Sequence, residues 1–424
     1  MASRSRSEEA DVEHERMRIA MVVAAQVPGV HVHVSGLAAA LAGSGHDVTI
    51  YTRRSDPRPP TRESTDHGYE VVRVPAGPAQ RIDEEGLVPH LGRFADHLRR
   101  EWRHDPPDVA HAHHWTSGLA SILAAQHGMP VVQTYHGLGV VERGCGAKRL
   151  PGERIVGREA TRVIATSSEE VVTLVRMGVA RSHISVVPTG VDLRMFTPFG
   201  TNAERGGQRR IITAGELMPH RGFADAVLAL SRVDETELLI VGGPKKRRIN
   251  YEPEVRRLRE LAGRVGVADR VAFTGGVPRE EMPSLLRSAD AVVCTPWYDP
   301  AGLASLEAMA CGVPVVATAV GGLIDTIVDG VTGLHVQPVQ PRRLAKLLRG
   351  LLADGTRRQE FGIAGYDRTC ARYSWERIAA DTVRVYQGAG GEDCRPNACG
   401  RRRRVSGVPT SATPAWLSRD RRRR

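Results

Sequence analysis

Two carboxylates stand close to a predicted helix start, with seven residues between them. Asp299 lies in a proline-containing turn after residues 289–295, an apolar run typical of a buried parallel strand. Glu307 lies in the first turns of a helix predicted over 302–310, where backbone amides attract anions and carboxylates hold hydroxyl groups. Periodicity alone does not separate such a ligand site from an ordinary buried strand–helix–strand crossover.

The stretch 296–322 resembles the signature of the retaining GT-B glycosyltransferases of family 4, in which two such carboxylates precede ACGVPVVA and a diglycine. The resemblance implies that Glu307 binds the ribose hydroxyls of a nucleotide sugar and that Asp299 meets the hydroxyls of the transferred sugar. Two residues depart from the family pattern. Asp299 replaces the usual Glu and Ala301 the usual Phe, which suggests a reshaped donor-sugar pocket.

A histidine ends the buried strand predicted over 130–136. This places His136 at the carboxyl edge of a parallel sheet, where ligands of open α/β sheets bind. The resemblance assigns it a contact with the transferred sugar near the reacting centre, and a capped core histidine is the alternative. His111, His113 and His114 end the preceding predicted strand, but no third ligand with a known metal spacing accompanies them, so a structural role is preferred to a metal site.

Residues 215–222 contain the strongest departure from the family. Family members carry two cations here, which hold the donor diphosphate and stabilise it as it leaves. The second cation is retained as Arg221, whereas Glu216 replaces the first. An acid facing a diphosphate repels it unless the acid turns away or carries a proton. Glu216 therefore suggests either an ammonium group on a ligand or a loss of activity.

Backbone amides are the other predicted phosphate contacts. Gly29, in the loop between the first strand and the first helix, is retained from a family loop that contacts the donor phosphates. Ala301, Gly302 and Leu303 supply amides at the start of the helix that carries Glu307. The diglycine at 321–322 is expected to let the backbone approach a ligand closely.

Strand, glycine turn, helix and strand repeat along the 424 residues, which predicts an α/β protein of two Rossmann-like, doubly wound domains. The resemblance implies the GT-B arrangement, with the domains facing across a cleft. The predicted division is a disordered segment at 1–16, an acceptor domain at 17–196, a linker at 197–209, a nucleotide-sugar domain at 210–365, a helix crossing back at 366–387 and a disordered Arg-rich tail at 388–424.

The positive charge is concentrated near the end of the chain. The formal net charge is +11, and residues 388–424 contain ten arginines and three acids, so the remainder is only mildly basic. With 4% aromatic residues, base stacking on nucleic acid is not favoured, although an RNA role of the tail is an alternative. Six dispersed cysteines and the lack of a signal peptide or an apolar span predict a cytoplasmic protein.

The function implied by the resemblance is retaining transfer of a sugar from a nucleotide-diphosphate sugar, with UDP the expected nucleotide, to a hydroxyl of a small acceptor. The expected chemistry is a front-face attack that needs no protein nucleophile, and no metal or other cofactor is expected. The closest pattern suggests an aminocyclitol acceptor and an amino sugar such as kanosamine. The alternatives are a mycothiol-type or other small-molecule or polysaccharide transfer and a catalytically impaired nucleotide-sugar-binding protein. The oligomeric state is not predicted.

Overall fold

The computed structural model describes residues 16–390 except 26, 28, 127 and 142–145. Two predominantly parallel sheets organise this part of the chain. The strands of the first sheet are β1 (Arg18–Val23), β2 (Asp47–Arg53), β3 (Arg62–Ser64), β4 (Glu70–Val74), β5 (Val109–His113), β6 (Val131–Thr134), β7 (Arg162–Ala165) and β8 (Ile184–Val186). The strands of the second sheet are β9 (Arg209–Ala214), β10 (Thr236–Val241), β11 (Val271–Gly275), β12 (Ala291–Cys294), β13 (Val315–Thr318) and β14 (Gly333–Val336).

The strand order in each sheet reverses direction next to its first strand. The first sheet has the order β3-β4-β2-β1-β5-β6-β7-β8, and the second has the order β11-β10-β9-β12-β13-β14. Every pairing is parallel except that between β3 and β4. The predicted architecture of two doubly wound α/β sheets is therefore confirmed.

Helices cover both faces of each sheet. They are α1 (Val30–Gly43), α2 (Glu84–Leu87), α3 (Leu91–His104), α4 (Trp115–Ala124), α5 (Arg149–Glu159), α6 (Ser168–Arg176), α7 (Phe223–Leu230), α8 (Pro253–Arg264), α9 (Met282–Arg287), α10 (Leu303–Ala310), α11 (Gly322–Thr326), α12 (Pro341–Ala353), α13 (Gly355–Arg372) and α14 (Trp375–Gly390). Each sheet separates two apolar clusters, because strands buried on both faces are apolar throughout. No helix in the described part of the chain has both the length and the apolar character that crossing a bilayer requires.

Three sequence-based boundaries differ from the structure. The segment 53–66 is polar and proline-rich, a composition that predicts a loop, but it contains the short edge strand β3, which pairs antiparallel with β4. The segment 366–387, expected to be a single crossing helix, is part of two helices. The helical conformation is interrupted at Tyr373 and Ser374, between α13 and α14. The second helix continues to Gly390, three residues into the predicted tail. Residues 1–15 and 391–424, which include most of both predicted disordered segments, lie outside the described residues.

The last helix packs on the first domain. Ile378, Val383 and Tyr386 of α14 belong to the same apolar cluster as α1 and the first strands. Trp375 begins this helix and fits against two glycines, because a Cβ atom at Gly36 would lie 2.3 Å from its ring and one at Gly190 would lie 2.5 Å away. The absence of side chains at these glycines is what lets α14 cross back.

The parallel strands bring the predicted site residues to the carboxyl edges of the two sheets. His136 follows β6, the turn containing Arg221 follows β9, and Asp299 follows β12. The two domains touch directly at these edges, since the Thr166 hydroxyl after β7 donates a 3.0 Å hydrogen bond to the Pro300 carbonyl. Both edges therefore line one cleft.

We predict that Gly36→Ala destabilises the protein, because the new methyl group overlaps the Trp375 ring and overpacking typically costs about 1–3 kcal/mol. Gly43→Ala on the same helix is the matched control, since its methyl group meets no atom within 4 Å. Thermal unfolding should give a lower midpoint for the first variant and an unchanged or higher midpoint for the second. Equal midpoints would show that the crossing helix does not depend on this contact.

Candidate active site

The loop after β12 folds back on its own carboxylate. Asp299 Oδ1 accepts hydrogen bonds from the amides of Ala301 at 3.2 Å and Gly302 at 2.9 Å. An aspartate readily caps the amides two and three residues ahead in this way. Because Asp299 accepts from both amides, the predicted phosphate contacts of Ala301 and Gly302 stay a prediction that requires this carboxylate to release them. The Leu303 amide, at the first position of α10, remains a predicted contact.

The diglycine supports this loop by close backbone contact, and its predicted approach to a ligand stays a prediction. A Cβ atom at Gly321 would lie 2.0 Å from the Asp299 carbonyl oxygen, and one at Gly322 would lie 2.8 Å from the Pro300 carbonyl oxygen. The Gly322 amide also donates to the Asp299 carbonyl at 2.9 Å. Only residues without side chains allow this backbone contact, so the two glycines fix the position of Asp299.

Arg221 lies beside Asp299, as two predicted site residues should. Its Nη1 is 3.8 Å from Asp299 Oδ2, a contact between opposite charges that is longer than a hydrogen bond. Its Nε is buried without a hydrogen-bond partner among the described residues. Gly222 places this turn against β12, since a Cβ atom there would lie 1.7 Å from the Thr295 carbonyl oxygen. Arg221 thus has an unused donor next to the Asp299 carboxylate.

Glu216, the residue that reverses a family charge, has an exposed side chain. No ion pair joins it to any residue in the described ranges. The exposure agrees with an acid that is turned away from the diphosphate, which is one of the two conditions under which repulsion is avoided.

Glu307 is buried and paired. Its side chain is 8% exposed, and Arg279 Nη2 lies 2.7 Å from its Oε1. Burial raises the pKa of Glu307, and the Arg279 charge opposes this shift only in part. The Arg279 guanidinium also stacks 5.0 Å from the centre of the Phe196 ring. Arg279, which follows β11, was not predicted from the sequence as a site residue.

Three histidines from separate elements meet on the opposite side of the cleft. His136, in a left-handed conformation with φ 61°, has its Nε2 2.9 Å from His113 Nδ1. The His33 ring packs edge-on at 4.8 Å from the His136 ring, and its Nδ1 lies 2.9 Å from Thr189 Oγ1. Burial lowers the pKa of His33 to about 4 and that of His136 well below its usual range, so these rings are neutral at neutral pH.

The cluster of His33, His113 and His136 contains the three ligands that a metal site would need and that the spacing of the histidines in the sequence did not indicate. One nitrogen from each of His33, His113 and His136 lies within 4.8 Å of the others, a grouping with the ligand types of a metal site. Two of those rings are already hydrogen-bonded to each other, and neutral imidazoles form such a network without an ion. His111 belongs to the core, where Tyr386 Oη and Thr134 Oγ1 satisfy both of its nitrogens. The absence of a metal stays a prediction.

A cavity of about 230 Å³ adjoins His136 in the first domain. Its polar lining residues are Arg53, Asp83, Glu84, His114, His136 and Arg149. Glu84 connects several of them, because it accepts a 2.7 Å hydrogen bond from Trp115 Nε1 and lies 3.3 Å from His114 Nε2. Burial acts to raise the pKa of Glu84, but the contacts with His114 and Trp115 outweigh it and lower that pKa. Glu84 therefore carries negative charge into the cavity.

The sequence analysis missed Arg53, Glu84 and Arg149 because they lie on three distant segments without a local motif. Arg149 Nε lies 2.8 Å from the buried carboxylate of Glu153, and Arg53 donates to the carbonyl oxygens of residues 78 and 80. Their charges are thus held in place by the protein. Two basic and two acidic side chains line the cavity, which suits a polar ligand with several hydroxyl groups.

The charge of Arg279, in the second domain, acts on His31 in the first domain. Burial lowers the pKa of His31 on α1, and the Arg279 charge lowers it further. Gly29 caps the same helix with φ 78° and is itself exposed. The carboxylates of Asp299 and Glu307 and the guanidinium of Arg221 all influence the buried thiol of Cys294, whose pKa burial raises to about 12. The predicted residues of the second domain therefore gather around the end of β12.

Comparison with known proteins matches both halves of the chain. The family described as "Glycosyl transferase 4-like domain" matches residues 28–190, and "Glycosyl transferases group 1" matches residues 198–368. The D-inositol 3-phosphate glycosyltransferase of Xylanimonas cellulosilytica is 34% identical over 384 residues, which cover 84% of this chain and 91% of the relative. That of Acidothermus cellulolyticus is 34% identical over 391 residues, with 85% and 86% covered.

Solved structures share the fold. Sucrose-phosphate synthase from Thermosynechococcus elongatus superposes with a TM-score of 0.79 at 28% identity, over 88% of this chain and 99% of that one. The Anabaena protein HepE in complex with UDP and glucose superposes with a TM-score of 0.68 at 17% identity, over 88% and 100%. At that identity the likeness to HepE extends to the fold alone.

We predict that Glu307→Gln stabilises the protein while it weakens nucleotide binding. The folded-state pKa of Glu307 lies above its ordinary 4.5, so its ionisation opposes folding, and this penalty grows as pH rises above 4.5. The variant should have a higher thermal midpoint than the wild type at pH 7, with a smaller difference at pH 5. Glu260→Gln, an exposed acid on α8, is the control and should show neither effect. A lower midpoint for Glu307→Gln at pH 7 would contradict the prediction.

Proposed function

The chain belongs to the glycosyl transferases of group 1, a retaining family with the GT-B fold, and from this we propose that it transfers a hexose from a UDP-linked sugar to a hydroxyl group of a phosphorylated cyclitol. One observation carries the choice of acceptor: the match to D-inositol 3-phosphate glycosyltransferases extends over more than four-fifths of the chain. The mycothiol-type alternative of the sequence analysis is thus preferred to the aminocyclitol.

In the proposed site the nucleotide sugar lies against the second domain. Glu307 receives the ribose hydroxyls, which requires the Arg279 guanidinium to share or release its contact with that carboxylate. Arg221, with its unused Nε donor, neutralises the leaving diphosphate together with the amides of Gly29 and Leu303. Asp299 and His136 hold the transferred sugar from opposite sides of the cleft.

The proposed reaction proceeds on the face that the diphosphate leaves. The acceptor hydroxyl attacks the anomeric carbon there, the bond to the phosphate oxygen breaks, and that oxygen takes the hydroxyl proton. His136 is neutral at neutral pH, since burial lowers its pKa, so it acts as a hydrogen-bonding group and not as a cationic acid. Positioning and charge stabilisation then supply the rate enhancement.

We propose the cavity beside His136 as the acceptor site. Its carboxylates of Asp83 and Glu84 suit hydroxyl groups, and its guanidinium groups of Arg53 and Arg149 suit a phosphate. The second candidate is the aminocyclitol acceptor with kanosamine or another amino sugar as donor. The two carboxylates in the cavity favour it, because an ammonium group would pair with them, but neither relative reported above carries such a name.

The main test pairs the purified protein with UDP-glucose, UDP-N-acetylglucosamine and UDP-kanosamine as donors. The acceptors are D-inositol 3-phosphate, unphosphorylated inositol and neamine. We expect mass spectrometry to find a single glycosyl addition to the phosphorylated acceptor, with the anomeric configuration of the donor retained by NMR. Glu307→Ala should lose the product, and Glu260→Gln should keep it. Product with neamine alone would favour the second candidate, and UDP binding without any product would favour an impaired enzyme.

Glu84→Gln separates the two acceptor classes. It removes one negative charge from the cavity and retains the shape of the side chain. For a cationic acceptor we expect KM to rise about tenfold, because a partly buried charge pair is lost, whereas for a phosphorylated acceptor KM should fall or stay unchanged. Steady-state kinetics with each acceptor make the measurement, and exposed Glu85→Gln is the control. A rise in KM for the phosphorylated acceptor would contradict the proposed site.

A further inference from the structure

A short segment of the first domain contacts the second domain at the loop 295–302 after β12 and at the diglycine 321–322. These two backbone segments are together called the donor loop. The first-domain segment comprises Thr166, Ser168 and Glu169, at the junction of β7 and α6. Ser168 contributes two hydrogen bonds to a single carboxylate, since its amide donates to Asp325 Oδ2 at 2.6 Å and its hydroxyl to Asp325 Oδ1 at 2.7 Å. Asp325 lies on α11, which begins at the diglycine.

Two more contacts join the same segment to the donor loop itself. The Glu169 carboxylate accepts a hydrogen bond from the Gly321 amide. The Thr166 hydroxyl donates to the Pro300 carbonyl at 3.0 Å. We call these contacts of Thr166, Ser168 and Glu169 the interdomain clasp. One contact is made with the segment that contains Asp299, at Pro300, and the other with the diglycine, at Gly321. These are the two backbone segments that lie against each other.

The first-domain side of the clasp is held rigidly. Glu170 is buried, and its Oε2 accepts a hydrogen bond from the Thr166 amide at 2.7 Å and lies 2.7 Å from the Thr166 hydroxyl oxygen. Ser167 caps α6 by accepting from the Glu170 amide at 3.2 Å. The clasp residues therefore present a fixed set of donors and acceptors to the second domain.

The second-domain side leads directly to the proposed catalytic pair. Gly321 is bonded by Glu169, its neighbour Gly322 donates to the Asp299 carbonyl, and the Asp299 carboxylate faces Arg221. A displacement of Gly321 must move the backbone of Asp299, since these two backbone segments lie directly against each other. The ion pair of Glu307 and Arg279 includes none of the clasp residues.

We propose that Ser168 and Glu169 are positioning residues, which hold the donor loop from the opposite domain and thereby keep Asp299 in place beside Arg221 when the domains are docked. The inference rests on the proposed function for its turnover assay. It assigns the first domain a part in completing the donor site, beyond binding the acceptor. Removal of the clasp should slow transfer and leave nucleotide binding intact.

The test compares Glu169→Ala, Glu169→Gln and the control Arg176→Gln, which removes an exposed charge on the same helix. We expect turnover to fall about tenfold or more in Glu169→Ala, because small displacements of reacting groups have effects of this size. Glu169→Gln keeps an oxygen acceptor for the Gly321 amide and should stay within about threefold of the wild type. Calorimetry should give UDP dissociation constants within about threefold for all the proteins.

A second readout does not depend on turnover. Small-angle X-ray scattering should give a larger radius of gyration for the Glu169→Ala, Asp325→Asn double variant than for the wild type and for Arg176→Gln. This result would support the clasp even if no substrate pair gave product, so failure of the proposed function stays distinguishable. Equal turnover in Glu169→Ala and Arg176→Gln, parallel loss of UDP affinity, or an unchanged radius of gyration would each overturn the proposal.

Discussion

The close backbone contact between the Asp299 turn and the diglycine is the constraint on which the site depends. It brings the carbonyl of Asp299 against Gly321 at a distance that no side chain would allow. The carboxylate of Asp299 then satisfies the amides ahead of it and still faces Arg221. The site is therefore shaped by hydrogen bonds within the loop, and a ligand meets a preformed surface.

The two sides of the cleft differ in their electrostatics. The first domain contributes neutral imidazoles, because burial disfavours their charged forms, and these bond to one another and to hydroxyl groups. The second domain contributes opposite charges in pairs, Arg221 with Asp299 and Arg279 with Glu307. In the proposed site, a sugar held between the domains meets uncharged hydrogen-bonding groups on the first domain. On the second domain it meets paired charges that can accommodate a diphosphate.

The sequence predicted the parts of the site that depend on local patterns. Two apolar strands and a helix around Asp299 and Glu307 follow from periodicity and turn residues, and the sheet architecture follows from their repetition. Contacts between residues far apart in the sequence could not be predicted, because Arg279 and Glu84 approach their partners only through the tertiary fold. The hydrogen bond from the Gly302 amide to Asp299 was not predicted, because that amide was judged by its place at a helix start and the carboxylate three residues earlier was not weighed.

The crossing of α14 gives the first domain a discontinuous sequence. Its apolar cluster is completed by Ile378, Val383 and Tyr386, and Trp375 fills the groove between Gly36 and Gly190. During synthesis on the ribosome, the second domain emerges in one piece before these residues appear. The first domain, although it is translated first, lacks the cover that α14 adds beside α1 on one face of its sheet until that helix is released, so its maturation ends later than that of its partner.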